Sequence, residues 1–190
     1  MKYIVLALSF CLIDSVLAQA NENQTTEAKV TVLSTNLSDG NTIGEWGFSA
    51  FVEASGHCVL FDTGRFPDTV IKNAESLSVD LTCVTDIVIS HNHFDHTSGL
   101  LPLIANLRAS DPNAVQTVHV GRGIFAERRR KDSQEKVTRM IEIKQELEAL
   151  NIEIVVHDKS AEIYPSIWVT GPITRKHPEM NYGGSFAVHL

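Results

Sequence analysis

Cysteine is scarce, with three in 190 residues. That is too few for a scaffold that replaces its core with disulfide staples. Six prolines and 11 glycines exclude a collagen-like or linker-dominated chain. Positive charge is in deficit. Sixteen Lys and Arg stand against 23 Asp and Glu, for a net charge of −7, which argues against a nucleic-acid partner because such proteins carry a basic face. No long apolar run is present either. The longest, residues 3–13, has 11 residues, whereas a bilayer span needs about 20. What remains, 43% hydrophobic and 21% charged, is a globular composition. Its length suits one domain with a real core.

The first twenty residues read as an address. Lys2 precedes the apolar run, and Val16-Leu17-Ala18-Gln19-Ala20 supplies small residues at the distance a signal peptidase requires. We expect a signal peptide over residues 1–20, cut after Ala18 or Ala20, a secreted or periplasmic protein, and no stable membrane anchor. Residues 21–29 form a polar leader, and residues 30–190 the domain. Cleavage removes Cys11 and leaves the net charge unchanged. Cys58 and Cys83 could pair, but the favoured reading is two small core residues.

Alternation predicts strands over residues 30–37, 46–54 and 58–61, with Ala54-Ser55-Gly56-His57 as a hairpin turn. Residues 67–77 read as a helix with Pro67 at its first position. Residues 86–90 are a short apolar strand of the kind covered on both faces. A helix over 99–107 and a strand over 115–120 follow. Residues 133–150 make the clearest helix, with Asp132 and Glu135 resembling a capping box. Arg128-Arg129-Arg130-Lys131 reads as a solvated helix face or loop, with an anion-binding patch as the lesser alternative. Further strands are expected over 152–156, 167–170 and 186–189. Strands that open the chain and then alternate with helices predict an α/β sandwich with a mixed sheet.

The stretch that carries chemistry is His91-Asn92-His93-Phe94-Asp95-His96. Three imidazoles and one carboxylate fall within six residues, directly after the buried strand. These donors suit zinc or iron. In an extended loop His91 and His93 point the same way and can grip one ion. Asp95 and His96 lie where the chain must turn and can face a second. A two-metal site activates water at neutral pH and polarises the scissile bond.

The pattern H-x-H-x-D-H resembles the signature of the metallo-β-lactamase superfamily. Val59-Leu60-Phe61-Asp62-Thr63-Gly64, with Asp62 placed 29 residues before His91, is similar to that family's strand ending in Asp-Thr-Gly. The resemblance implies an αββα fold, two zinc ions (iron or manganese as alternatives), and His91, His93, Asp95 and His96 as metal ligands. It places Asp95 also in the role of orienting water. Asp62 would lie beneath the metal loop as its support. Trp46-Gly47-Phe48-Ser49-Ala50-Phe51 and Thr170-Gly171-Pro172-Ile173-Thr174-Arg175 resemble a dihydropteroate-synthase-like or methanopterin-precursor-synthase-like subgroup, which implies a small-molecule substrate, phosphorylated or pterin-like.

In the family a third histidine, a bridging aspartate and a last histidine come from later strands. His119, His157, His177 and His189 do not stand in those contexts and read as surface or strand residues. We therefore expect the amino-terminal part of such a domain, with one apolar sheet face that self-association could cover. Two functions follow: a metal-dependent hydrolase of an ester, amide or phosphoester, or a catalytically incomplete module that binds metal, ligand or a partner chain. Redox chemistry at iron is a third reading.

Overall fold

A computed structural model describes residues 27–174, 176–177 and 185–188. The expected signal peptide lies outside these residues, as do Arg175 and His189. The described chain opens as an antiparallel meander: β1 (Ala28–Ser34), β2 (Ser49–Ala54) and β3 (His57–Phe61). Ser55 and Gly56, both at positive φ, close the two-residue hairpin between β2 and β3. Then come α1 (Thr69–Ser76), β4 (Asp86–Ile89), the one-turn α2 (Phe94–Thr97), α3 (Leu100–Ser110) and β5 (Thr117–Gly121). Beyond β5 lie β6 (Arg128–Arg130), β7 (Lys136–Val137), α4 (Arg139–Ala149), β8 (Glu153–His157), β9 (Ala161–Tyr164), β10 (Ile167–Val169) and β11 (Ser185–Ala187).

The main sheet has the order β1-β2-β3-β4-β5-β8 and is parallel from β3 onward. It is the mixed sheet that the alternation of elements predicts. One core lies between its helical face and α1, α3 and α4. Phe51, Leu60, Ile87, Ile89, Val118 and Val120 project from the strands. Val70 and Ala74, Leu103 and Ile104, and Ile143 and Leu147 meet them from the three helices. Each fully buried Leu or Ile contributes about 1.5–3 kcal/mol of transfer free energy.

Because strand side chains alternate, the other sheet face carries a different set. Asp86 and His119, both buried, are joined by an Oδ1···Nε2 contact of 2.9 Å, and His119 Nδ1 lies 3.0 Å from His157 Nε2. Tyr164 of the β9–β10 hairpin donates to Asp86 Oδ2 at 2.5 Å, as does Thr85 Oγ1 at 2.6 Å. His57 stacks on the Tyr164 ring, with centroids 4.0 Å apart. The hairpin is thus docked by a polar network rather than by an apolar seam. Val30 and Val32, at 61% and 45% exposure, extend this face outward along β1.

Three readings need correction. Cys58 and Cys83 form a disulfide, with Cα atoms 5.7 Å apart. Cys83 is exposed in the loop before β4, so it is not a core residue, and the parallel pairing of β3 with β4 brings that loop beside Cys58. The last long helix begins at Arg139 rather than 133. Asp132 and Glu135 do not cap it, because Lys136 and Val137 pair with Arg129 and Arg128 and Gln134 at φ 60° turns the chain between the two strands. The arginine run is accordingly a strand, central in a three-stranded sheet of order β11-β6-β7. Strand β9 has no counterpart among the expected elements.

Non-reducing peptide mapping should recover Cys58 linked to Cys83. Replacing both by Ala should cost about 2–4 kcal/mol in denaturant melts, the usual range for closing a loop of this length. Asp86 gives a pH-dependent test. Burial pushes its carboxyl up, but bonds from His119, Thr85 and Tyr164 outweigh burial and hold it below the ordinary value. Its contribution to stability is therefore present above the unfolded value of about 3.9 and lost as pH falls through the folded one. Thermal melts should show Asp86→Asn less stable than the parent at neutral pH, with the gap closing in acid.

Candidate metal centre

The site is built at the carboxyl ends of β3 and β4, where two loops meet. Asp62 ends the Asp-Thr-Gly strand in the left-handed region, at φ 56°, and is wholly buried. That conformation is uncommon for a non-glycine residue and is tolerated best by Asp and Asn. Here it is held from every side. The Asp62 N–H donates to Val88 O at 2.8 Å, and its carbonyl accepts from Ser49 Oγ at 2.8 Å. Oδ1 accepts from the Ser90 N–H at 2.8 Å, and Oδ2 from Ser90 Oγ at 2.6 Å. The same Oδ2 lies 2.7 Å from His96 Nδ1. Asp62 is thus buried beneath the loop and joins Ser90 to His96.

The Nδ1 contact orients His96. With a hydrogen on Nδ1 directed at the carboxylate, the neutral ring presents the Nε2 lone pair outward, the arrangement typical of metal-ligating histidines. Asp95 Oδ2 lies 3.6 Å from that Nε2. The His91 ring stands 4.1 Å from the His96 ring and 4.6 Å from the His93 ring, centroid to centroid. All four expected ligands are thus brought together. The spacing argument divides them into two pairs, whereas in the fold His91 stands beside both His93 and His96. Among the described residues, no three His, Cys, Asp or Glu side chains already surround one ion position. The set fits a metal by its donor chemistry and by the support behind His96.

Electrostatics follow from this crowding. Burial, then the neighbouring His96 and His93, hold His91 below the ordinary imidazole value against the pull of Asp62 and Asp95. The bond from Asp62 raises His96 above it, helped by the charges of Asp62 and Asp95 and opposed by burial.

The backbone of the loop is fixed with equal care. His96 O accepts from both the N–H and Oγ1 of Thr63, at 2.9 and 3.0 Å, and His93 O accepts from Thr97 Oγ1 at 2.8 Å. Gly99 packs so closely that a Cβ there would sit 2.0 Å from Thr63 O, so no larger residue fits. Gly64, at φ 70°, would drive a Cβ to 2.2 Å from Glu45 Oε1.

Glu45 is a supporting residue that the sequence did not reveal. Its buried carboxylate accepts from Ser34 Oγ, the N–H groups of Arg65 and Phe66, and Thr69 Oγ1, at 2.6–3.0 Å. It thereby ties the turn after Asp62 to β1 and α1. Its partners are scattered along the chain, so no local pattern marks it. Of the later histidines, His119 and His157 belong to the Asp86 network on the sheet face, and His177 is exposed.

A sequence model of the metallo-beta-lactamase superfamily matches residues 47–159. Over 54 residues the chain is 33% identical to a 7,8-dihydropterin-6-methyl-4-(beta-D-ribofuranosyl)-aminobenzene-5'-phosphate synthase of Methanocaldococcus jannaschii, a match covering 28% of this chain and 18% of that protein. The fold is similar to the crystal structure of Tm1679, a metal-dependent hydrolase of the beta-lactamase superfamily, with TM-score 0.62 and 25% identity. That alignment covers 86% of this chain and 55% of the other, so the chain spans about half the length of that relative.

The raised value of His96 has a measurable consequence. A proton on His96 must leave before a metal can bind, so zinc affinity should fall as pH drops through that value, with protons released on binding. In the metal-free chain the sign reverses. The stability that the raised value brings is fully present below the unfolded value of about 6.5 and is lost as pH rises through the folded one. Asp62→Asn keeps the backbone conformation but weakens the hold on His96. Chelator competition should show a loss of about 10–100-fold in zinc affinity.

Proposed function

The chain belongs to the metallo-beta-lactamase superfamily, and from that premise we propose that it carries the loop ligands of a metal-dependent hydrolase acting on an ester, amide or phosphoester of a small molecule. The observation that carries this reading is His96, pinned through Nδ1 by the buried Asp62 so that Nε2 faces Asp95, with the His91 ring against its own. His91, His93, Asp95 and His96 would hold zinc, with iron or manganese as substitutes. When bound, such ions supply positive charge that polarises the scissile bond and lowers the pKa of water.

The protein's own part is positioning. Thr63 and Gly99 hold the backbone of the loop, and Asp62 fixes the ring orientation of His96. Asp95, half-buried beside His96 Nε2, would orient water and accept its proton. The matched segment of the pterin phosphate synthase and the subgroup motifs favour a phosphorylated, planar substrate. Export through a signal peptide over residues 1–20 belongs to the same reading. Among the described residues, no helix is long and apolar enough to cross a membrane.

A second reading is a binding module that holds metal weakly or only with a partner chain. It is favoured by the absence, among the described residues, of a closed three-ligand arrangement. The metal content of the purified chain after gel filtration separates the two. We expect about two ions per chain together with hydrolysis of bis(p-nitrophenyl) phosphate. His93→Ala should lose at least about 100-fold in rate, as expected when several kcal/mol of metal-ion stabilisation is removed. Folding without metal and without turnover would support the module instead.

A further inference from the structure

The segment from Glu127 to Arg139 holds six cations, and three of them are neutralised within it. Arg129 pairs with Glu127 at 3.2 Å, Arg130 with Glu135 at 3.4 Å and Lys136 with Glu127 at 3.8 Å. Two arginines stand apart. Arg139, the first residue of α4, is half-buried. Its Nη2 donates to Ser98 Oγ at 3.1 Å and its Nη1 lies 3.9 Å from Met140 Sδ. Among the described residues no carboxylate reaches it. Burial alone acts on its charge, pushing its pKa down with no acidic neighbour to oppose the push. Arg128 is also half-buried, and its Nε is fully buried without any acceptor. It too has no ion pair among the described residues.

A half-buried guanidinium with unused donors is costly unless an anion meets it. Position says which anion. Ser98, which anchors Arg139, is two residues past His96 and caps the one-turn helix that carries Asp95 and His96. Arg128 stands opposite Val137 in the β6–β7 ribbon, and Arg139 begins α4 two residues later. Arg139 therefore stands beside the loop through Ser98, and Arg128 lies across the ribbon from the residue two before it. The planar fork of Arg matches the oxygens of a phosphate, offering paired N–H donors to two of them.

We propose that Arg139 and Arg128 form an anion-binding site beside the metal loop that takes the phosphate group of a phosphate monoester. The proposal deepens the hydrolase reading and rests on it for the word substrate, but the binding itself needs no metal. Arg139 is the principal contact, held in place by Ser98, and Arg128 is the second cation. Arg129, already paired with Glu127, lies outside the site.

Calorimetric titration of phenyl phosphate into the full chain, in EDTA and at constant ionic strength, tests this directly. Phenol and inorganic phosphate serve as partial ligands. We expect saturable binding of one phenyl phosphate per chain, competed by inorganic phosphate and not by phenol. Arg139→Gln and Arg128→Gln should each weaken binding at least tenfold, Arg139→Lys less, and Arg129→Gln should leave it unchanged. Should Arg139→Gln fail to fold, Arg128→Gln and Ser98→Ala carry the test. No saturable binding by the parent chain overturns the proposal, as does binding by the folded glutamine variants within twofold of the parent. Binding intact in a chain with no metal-dependent turnover would strike the hydrolase reading alone. Turnover intact with phosphate binding absent would strike this one alone.

Discussion

The buried carboxylate of Asp62 is the constraint from which the site hangs. A single side chain joins the ends of two parallel strands to the loop beyond them, because it accepts from Ser90 twice and meets His96 once. Buried carboxylates are costly unless every lone pair is met. Here the cost is offset by donors that only the correct pairing of β3 and β4 can supply. The sheet register and the orientation of His96 are therefore one event. A chain that folds its sheet has already aimed the imidazole.

A second layer of support works by the same logic at a distance. Glu45, in the loop before β2, gathers N–H groups from the turn that follows Asp62 and a hydroxyl from each of β1 and α1. Asn73 of α1 donates to the carbonyls of Leu33 and Ile43 and accepts from the Ile43 N–H, all at 2.7–2.8 Å. Both of these buried groups find their partners on other elements. This fixes loops that carry few apolar side chains of their own. The disulfide between Cys58 and Cys83 closes the same region covalently, around the strand, turn and helix that hold Asp62.

The His/Asp loop and the Asp-Thr-Gly turn beneath it were visible in the sequence because each is a local word. His91, His93, Asp95 and His96 lie within one turn of chain, and Asp62 announces itself in Asp-Thr-Gly. The mixed sheet followed from the order of apolar runs. What escaped notice was tertiary. Glu45 and Asn73 find their partners 11 to 40 residues away, and no spacing rule marks such a residue. The segment 128–137 misled because a dense charge run has the same composition on a solvated helix as on a ribbon, and only the pairing of Arg128 with Val137 decides. The cysteine pair was misread for the same reason, since 25 residues of separation say nothing of proximity.

The ribbon that bears Arg128 is completed from far along the chain. Ser185, Phe186 and Ala187 pair with Arg130, Arg129 and Arg128, while every strand of the separate six-stranded sheet ends by His157. The two halves of the site therefore have different debts to chain length. A product clipped or terminated before Ser185 would keep the scaffold beneath His96 whole and lose a flanking strand beside Arg128. The proposed anion site and the proposed metal site would then respond separately to the loss of residues 185–187.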